Sequence, residues 1–411
     1  MSGPDSRGLT PEAVAALDAS DPLAGFRERF VITDPGRIYL DGNSLGRLPA
    51  VTRDRLRGVV DEWGDRLVTG WDEWIDAPGR VGDLLAEAVL GAQPGEVLVG
   101  DSTTVNLYKL CAAALDLAGG GALVTDRDNF PTDRYVLEGL AAQRGVELRL
   151  VDEIEPALEG AAVVVAAHVD YRTGELADVH GLTERARAHG ARVVWDLCHS
   201  AGALPVKLRQ AGVELAVGCT YKYLNAGPGA PAFLYVAREL QDRLRSPIWG
   251  WFAQRDQFAM GQGYEPVDGI GRFSAGTPTI LALGAVEEGV RLTAEAGVDR
   301  LYAKATAQCE LIVALHDAWL APLGFELGSP RDPARRGSHV ALRHPEAWPI
   351  CRALIERANV IPDFRERDTI RLGVATLYTR FTDVYDALDR LRRLVERGEQ
   401  RLVDAARSRV T

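Results

Sequence analysis

The chain has 411 residues, a formal net charge of -11 and a pI near 5.3. Phosphate backbones are repelled by an acidic surface, so general nucleic-acid binding is not expected, and a chain this long predicts two domains at roughly 100 to 200 residues each. No run of about 18 apolar residues occurs, and the first residues lack a basic start and an apolar core; neither a membrane span nor a signal peptide is expected, and a cytosolic location is.

Residues 1 to 37 are polar and mixed, with helical spacing of apolar positions over Pro11 to Leu17 and Pro22 to Phe30. A short strand, Ile38-Tyr39-Leu40, then breaks into Asp41-Gly42-Asn43-Ser44, residues that favour turns and expose backbone donors to a ligand. Helical spacing runs from Val51 to about Leu90, interrupted near Pro78-Gly79, and carries Trp63, Trp71 and Trp74. Three tryptophans so close together either wall an aromatic substrate or anchor a core or subunit interface.

Regular alternation starts at Glu96. Strands are predicted over Val97 to Val99, Ala122 to Thr125, Val146 to Val151, Ala162 to Ala167, Arg192 to Asp196, Leu215 to Gly218 and Ala232 to Val236. Helices are predicted over Thr103 to Leu117, Asp133 to Arg144 and Leu182 to His189. Apolar strands spaced by helices signal an α/β fold with a mostly parallel, seven-stranded sheet covered on both faces, and ligands in such folds sit at the carboxyl ends of the strands. A helix from about Ile280 leads to a smaller α/β domain, roughly 290 to 411, with amphipathic helices over Tyr302 to Leu320, Ala347 to Ala358 and Thr382 to Arg397 and short strands near Val340 and Ile370.

The chemistry gathers between Arg192 and Val236. Asp196 ends one apolar run, Cys198-His199 follow, and a second run ends at Cys219-Thr220-Tyr221-Lys222-Tyr223 before Asn225-Ala226-Gly227-Pro228-Gly229. Only four lysines occur in the whole chain: Lys109 and Lys304 fall in helical stretches, Lys207 lies in a polar segment, and Lys222 directly follows a buried strand. A lysine so placed suits a carbonyl cofactor held as a Schiff base, because the attacking group must be a free amine. A pyridoxal ring also needs a carboxylate at its ring nitrogen, and Asp196 is placed for that, with His199 adding a further contact. The competing reading of Asp196 is a helix cap, a position at which Asp is favoured. Gly100-Asp101-Ser102-Thr103-Thr104 offers hydroxyls and amides at a helix start, where an anion is favoured, although Ser and Thr are common caps. Phe130-Pro131-Thr132-Asp133 opens another helix with an aromatic to cover a flat ring and a second acid. Cys111, Cys198, Cys219, Cys309 and Cys351 are odd in number and form no C-x-x-C, so neither disulfides nor a zinc site is expected.

Together, Tyr39 to Gly46, Phe130 to Asp133, Asp196 to His199 and Cys219 to Gly229 resemble the kynureninases, from about Arg37 to about Leu391. The resemblance implies a fold-type-I pyridoxal 5'-phosphate enzyme with an N-terminal segment (1–50) packing on the small domain, a large cofactor domain (51–289) and a small domain (290–411). It implies a cytoplasmic homodimer whose active sites are shared, and hydrolysis of the Cβ–Cγ bond of L-kynurenine to anthranilate and L-alanine in tryptophan catabolism, with no metal. By resemblance Lys222 carries the cofactor, Asp196 pairs with the pyridine nitrogen, Phe130 stacks on the ring beside Pro131, Thr132 and Asp133, and His199 contacts it. Thr103 and Thr104 match phosphate-side residues, and Tyr221 one that touches phosphate and acts as acid or base. Trp251 and Thr277 match residues reaching in from the neighbouring subunit. Arg371 matches the arginine on the substrate α-carboxylate, with Trp71, Asn43 and Ser44 also on the substrate side. Gly276-Thr277 and Trp71 are more similar to bacterial members that favour kynurenine over 3-hydroxykynurenine. Ala167 stands where members often have a small hydroxyl, removing one cofactor hydrogen bond. Rival readings are a cysteine desulfurase or selenocysteine-lyase-like enzyme, which needs a reactive cysteine on a mobile carboxyl-terminal loop, and a non-catalytic binding protein, expected to lack the lysine or the acid.

Overall fold

Unbroken apolar runs build the main sheet. In the computed structural model, which describes residues 9–404, a first short strand β1 (Ile38–Tyr39) precedes seven strands: β2 (Val97–Val99), β3 (Ala122–Asp126), β4 (Leu148–Val151), β5 (Ala161–Ala167), β6 (Arg192–Asp196), β7 (Leu215–Gly218) and β8 (Phe233–Val236). The terminal parts of the expected segments 1–50 and 290–411, residues 1–8 and 405–411, lie outside the described residues. The seven strands form one sheet in the order β2-β8-β7-β6-β5-β3-β4. Only β8 runs against its neighbours, so the carboxyl ends of β2, β3, β5, β6 and β7 open along one edge. The strand order reverses between β3 and β5, which is where a ligand crevice forms in such sheets. The expected α/β class with a mostly parallel seven-stranded sheet is what the chain adopts.

The chain divides into two compact units, one spanning Val51–Tyr171 and Ala177–Glu295, the other joining the described residues up to Ala50 with Arg172–Leu176 and those from Ala296 on. In the larger unit, Val163, Val165, Val194, Leu215 and Val217 pack against Leu107, Leu110 and Leu137 of the covering helices. These helices start and stop where local chemistry dictates. Ser102 caps Thr103–Ala118 by accepting from the Val105 amide at 3.3 Å, and Gly119 ends it at φ 75°, a conformation glycine adopts without cost. Helix Pro131–Arg144 begins on the proline, whose missing N–H needs no partner at the first position. The interruption expected near Pro78-Gly79 falls at Ile75–Asp76, between the short helix Trp71–Trp74 and Ala77–Leu85, whose first turn holds Pro78; a further break ends Ala50–Arg66 at Leu67, which has φ 48°.

In the smaller unit, β9 (Glu326–Leu327), β10 (His339–Arg343), β12 (Asp363–Arg365) and β13 (Thr369–Gly373) form an antiparallel sheet in the order β12-β13-β10-β9, while β1 pairs in parallel with β11 (Val360–Ile361). Val340, Ile370 and Leu372 face helices Val298–Leu315, Ala347–Arg357 and Phe381–Glu396 through Ile312, Ile350 and Leu388. Four of these strands are only two or three residues long, too short for an alternation pattern to reveal them.

Helix Ile280–Ala296 sets the floor under the lysine loop of the larger unit. A Cβ on Gly289 would come within 1.9 Å of the Leu224 carbonyl oxygen, two residues after Lys222. Backbone cannot yield as a side chain does, so Gly289→Ala is expected to destabilise the protein by about 1–3 kcal/mol. Urea unfolding checks this; an unchanged midpoint and slope would show that the loop does not rest on the helix.

Candidate active site

Each polar side chain of the larger unit's candidate site is carried by the segment that follows one strand at the common edge. At the end of β6, Asp196 is buried and its Oδ1 accepts the Cys198 amide at 2.7 Å. After β7, the chain turns sharply: Asn225 takes φ 56°, its amide donates to the Lys222 carbonyl at 3.0 Å, and its side-chain Nδ2 donates to the Tyr223 carbonyl at 2.8 Å. Asparagine tolerates this left-handed conformation, and the turn aims Lys222 back toward the edge. Lys222 Nζ lies 3.2 Å from His199 Nε2 and 6.0 Å from the centre of the Tyr221 ring.

After β3, Asn129 Nδ2 donates to Thr125 Oγ1 at 3.0 Å and its Oδ1 accepts the Phe130 amide at 2.6 Å, fixing the start of the next helix. Phe130 is 38 % exposed and meets Tyr171 edge-on at 5.3 Å. Pro131 and Thr132 are half-buried in the first turn, and Asp133 is buried. Burial drives the Asp133 carboxyl well above the ordinary carboxylate range, and neighbouring Asp196 pushes the same way, while Asn129 and Lys222 oppose. Burial, and then Cys219, also raises the Tyr221 phenol. After β2, Asp101 holds φ 50° ahead of Ser102 and Thr103, pinned by the buried Lys109, which also donates to the Phe273 carbonyl at 2.7 Å. Thr103 Oγ1 lies 3.7 Å from Cys198 Sγ, which ties this helix start to the segment after Asp196. Thr104 is exposed in the same first turn.

The other lysines are engaged or remote. Lys109 is locked as described, Lys304 in the smaller unit pairs with Asp21 at 2.7 Å, and Lys207 is exposed. Lys222, His199, Asp196, Asp133 and the start of Thr103–Ala118 remain as the convergent set. Sequence reasoning stopped at Ala167 and missed the next residue. Ala167 pairs directly with Asp196 in the sheet, and His168 beside it is buried, its imidazole held down to about 4 by burial. Its position one residue past a strand end was the signal available.

A flat ring with a phosphate fits this set. Among the described residues, several buried polar atoms of these segments, Asp133 Oδ2 and His168 Nδ1 among them, make no hydrogen bond, while the first-turn amides of Thr103–Ala118 have no carbonyl one turn earlier to satisfy them. Lys222 supplies the amine, Asp196 the carboxylate and Phe130 an exposed aromatic face.

The aminotransferase class-V family model matches residues 92–340, and that of the kynureninase C-terminal domain matches residues 301–391. Kynureninase from Pseudomonas fluorescens is 44 % identical over 396 residues, covering 93 % of this chain and 94 % of that protein. Kynureninase from Burkholderia pseudomallei strain 1106a is 42 % identical over 417 residues, covering 98 % and 100 %. The chain belongs to the kynureninase family. It is accordingly a pyridoxal-phosphate enzyme acting on a small molecule. Among solved structures, a cysteine desulfurase from Thermococcus onnurineus NA1 is similar with a TM-score of 0.74 at 20 % identity, covering 94 % of this chain and 98 % of that one. The cysteine desulfurase CsdA from Escherichia coli is similar with a TM-score of 0.75 at 16 % identity, covering 91 % and 98 %. That likeness shows the shared fold. The chemistry of a desulfurase is not favoured here, since Cys309 and Cys351 are buried with thiols pushed up to about 12 by burial.

The remaining expected residues of this kynureninase-family chain lie elsewhere within their own units. In the larger unit, Trp71 meets Trp74 at 5.7 Å and Phe252 at 5.8 Å, and Phe252 meets Trp251 at 4.7 Å. Trp63, Trp71 and Trp74 line an apolar recess of about 410 Å³ with Pro278 to Ala282, immediately after the exposed Thr277. In the smaller unit, Asn43, Ser44 and Arg371 stand together. Asp41 bridges to Gly373, and a Cβ on Gly373 would meet Asn43 Oδ1 at 1.9 Å, so glycine is required for this loop to lie against β13.

The Asp133 environment gives a signed prediction. A carboxyl whose folded pKa is raised supports the fold most below its unfolded value, about 3.9, and withdraws that support as pH rises. In cofactor-free protein, Asp133→Asn should therefore gain stability relative to wild type as pH rises from about 4 toward neutral. Urea unfolding of both at about pH 5 and about pH 7.5 measures the difference; the same offset at both would refute it.

Proposed function

We infer that the chain hydrolyses the Cβ–Cγ bond of L-kynurenine, giving anthranilate and L-alanine. The observation that carries this is the convergence of Lys222, His199, Asp196 and Asp133 at one sheet edge in a chain that is 44 % identical to a kynureninase over nearly its whole length. When bound, pyridoxal phosphate supplies an electron sink for bonds broken at the substrate's Cα and Cβ.

The chain's own residues do the rest. Thr103, Thr104 and the amides of their helix start hold the phosphate. Asp196 keeps the ring nitrogen protonated, His199 orients Lys222, and Phe130 covers the ring face with Pro131, Thr132 and Asp133 beside it. Asp133, driven toward its neutral form by burial and by neighbouring Asp196, places no second full negative charge beside that carboxylate. The Lys222 amine takes the Cα proton and returns a proton as the product forms. Tyr221, whose raised phenol stays protonated at neutral pH, donates to the oxygen at the substrate's aryl carbonyl as water adds there. Arg371 holds the substrate's α-carboxylate through its planar fork, with Asn43 and Ser44 on the same side.

We also propose a homodimer in which Trp251 and Thr277 serve the neighbouring subunit's site. Its support is the apolar surface a single chain leaves open around them: Trp249 and Trp251 are 63 % and 45 % exposed, and Phe258 is 70 % exposed. Trp71 at the aromatic recess then bounds the aryl ring of the substrate. Five free cysteines in an acidic chain support a reducing, cytoplasmic setting. Tryptophan catabolism is the pathway this chemistry serves.

Borohydride reduction of the yellow holoenzyme should bleach it and leave the cofactor on Lys222 in peptide maps. Lys222→Ala should lose anthranilate production by on the order of 10³-fold or more. Label on another lysine, or sulfide from cysteine with no anthranilate from kynurenine, would overturn the assignment. The kcat/KM ratio for kynurenine over 3-hydroxykynurenine is expected to favour kynurenine by about 10- to 100-fold, a difference within reach of one added hydroxyl in an apolar pocket.

A further inference from the structure

The smaller unit holds a charged network whose purpose the fold does not require. Asp363 and Arg371 stand directly opposite each other on antiparallel β12 and β13. Both are buried, Arg371 at 1 % exposure and Asp363 at 0 %. Arg371 donates from Nε to Asp363 Oδ2 at 2.7 Å, and its Nη2 donates to the same oxygen. Ser44 Oγ donates to that oxygen at 3.2 Å and accepts from Arg371 Nη2 at 3.3 Å. Arg365 Nη1 lies 3.0 Å from Asp363 Oδ1.

A buried ion pair is a poor stability device, because desolvating both charges offsets their attraction, and an apolar pair at these two positions would hold the strands as well. A guanidinium is a rigid planar fork with five donors, so a carboxylate fixed on its Nε and Nη2 sets the direction in which the plane meets any other anion. The local charge also suits an incoming anion. Arg365 and Arg371 face Asp363 and Asp41, and the Asp41 carboxyl is pushed up to about 7 by burial and then by Asp363, so it carries less negative charge at neutral pH than an ordinary aspartate.

We propose that Asp363 is a positioning residue for substrate recognition: paired across the sheet with Arg371 and bridged by Ser44, it orients the guanidinium that receives the α-carboxylate of the amino-acid substrate. This rests on the reading of Arg371 as the carboxylate anchor, and it assigns the selection for an α-carboxylate to a pair of residues instead of one. The opposing assignment is that Asp363 occupies Arg371 as a competitor of the substrate.

Three holoenzymes separate these outcomes: wild type, Asp363→Asn and Arg371→Leu. Each is assayed for kcat and KM on L-kynurenine and for inhibition by the amine analogue that lacks the α-carboxylate. For Asp363→Asn the expected result is a KM raised by about tenfold or more, kcat within about threefold, an unchanged inhibition constant for the carboxylate-free amine and an unchanged cofactor absorbance band. An unchanged or lowered KM overturns the proposal, the lowered value marking Asp363 as a competitor. Equal weakening of substrate and carboxylate-free amine also overturns it, because that is general disorder. Arg371→Leu with an unchanged KM would refute the anchor itself, whereas a raised KM there beside an unchanged Asp363→Asn would refute only the positioning role. Should Asp363→Asn fail to fold, Ser44→Ala replaces it, with a KM rise of about two- to fivefold and the same indifference of the amine analogue; no rise overturns the proposal.

Discussion

Two carboxylates at one sheet edge set the terms for the larger unit. Asp133 and Asp196 are both buried, and like charges in a desolvated space cannot both ionise unless cations compensate. The chain resolves this by letting Asp133 take the proton. It also tethers Asp196 to the Cys198 amide, which fixes where that carboxylate points. Two carboxyl groups in one crevice thereby acquire different roles from their surroundings alone. Lys222 and His199 complete the arrangement, and the turn at Asn225 determines where the amine arrives.

That arrangement depends on strand direction. Since β2, β3, β5, β6 and β7 all end at the same edge, segments from sequence positions as far apart as Gly100 and Lys222 converge without any long loop. Much of this was legible beforehand because buried parallel strands are short apolar runs and their exits carry polar residues. Arg192–Asp196 and Leu215–Gly218 stand where the apolar pattern put them, with Asp196 ending the first and Lys222 in the segment after the second. Pro78 placed a break only approximately, because a proline sits comfortably in the first turn of the helix after the break, which falls at Ile75–Asp76. His168 escaped notice because one histidine past a strand end has no pattern of its own, and only burial shows its imidazole held neutral. The Asp363–Arg371 pair was illegible for a further reason: with 47 basic residues, nothing local distinguishes one arginine until the register of two short strands sets it opposite a buried acid.

The solved structures most informative about the fold say little about the reaction. At 16–20 % identity, cysteine desulfurases share the architecture of this chain, so the scaffold is compatible with removing sulfur as well as with cleaving carbon from carbon. What differs is the chemistry offered beyond the lysine. A desulfurase reading would require an accessible thiol of low pKa, whereas Cys309 and Cys351 are buried among apolar neighbours that raise theirs. In the same unit the investment is instead in desolvated charge. Burying a guanidinium is costly unless a carboxylate meets it, and the buried Arg371 meets the buried Asp363 across two strands. One Asp363 oxygen accepts from both Nε and Nη2, so a single acceptor atom compensates the desolvated charge along that edge of the plane.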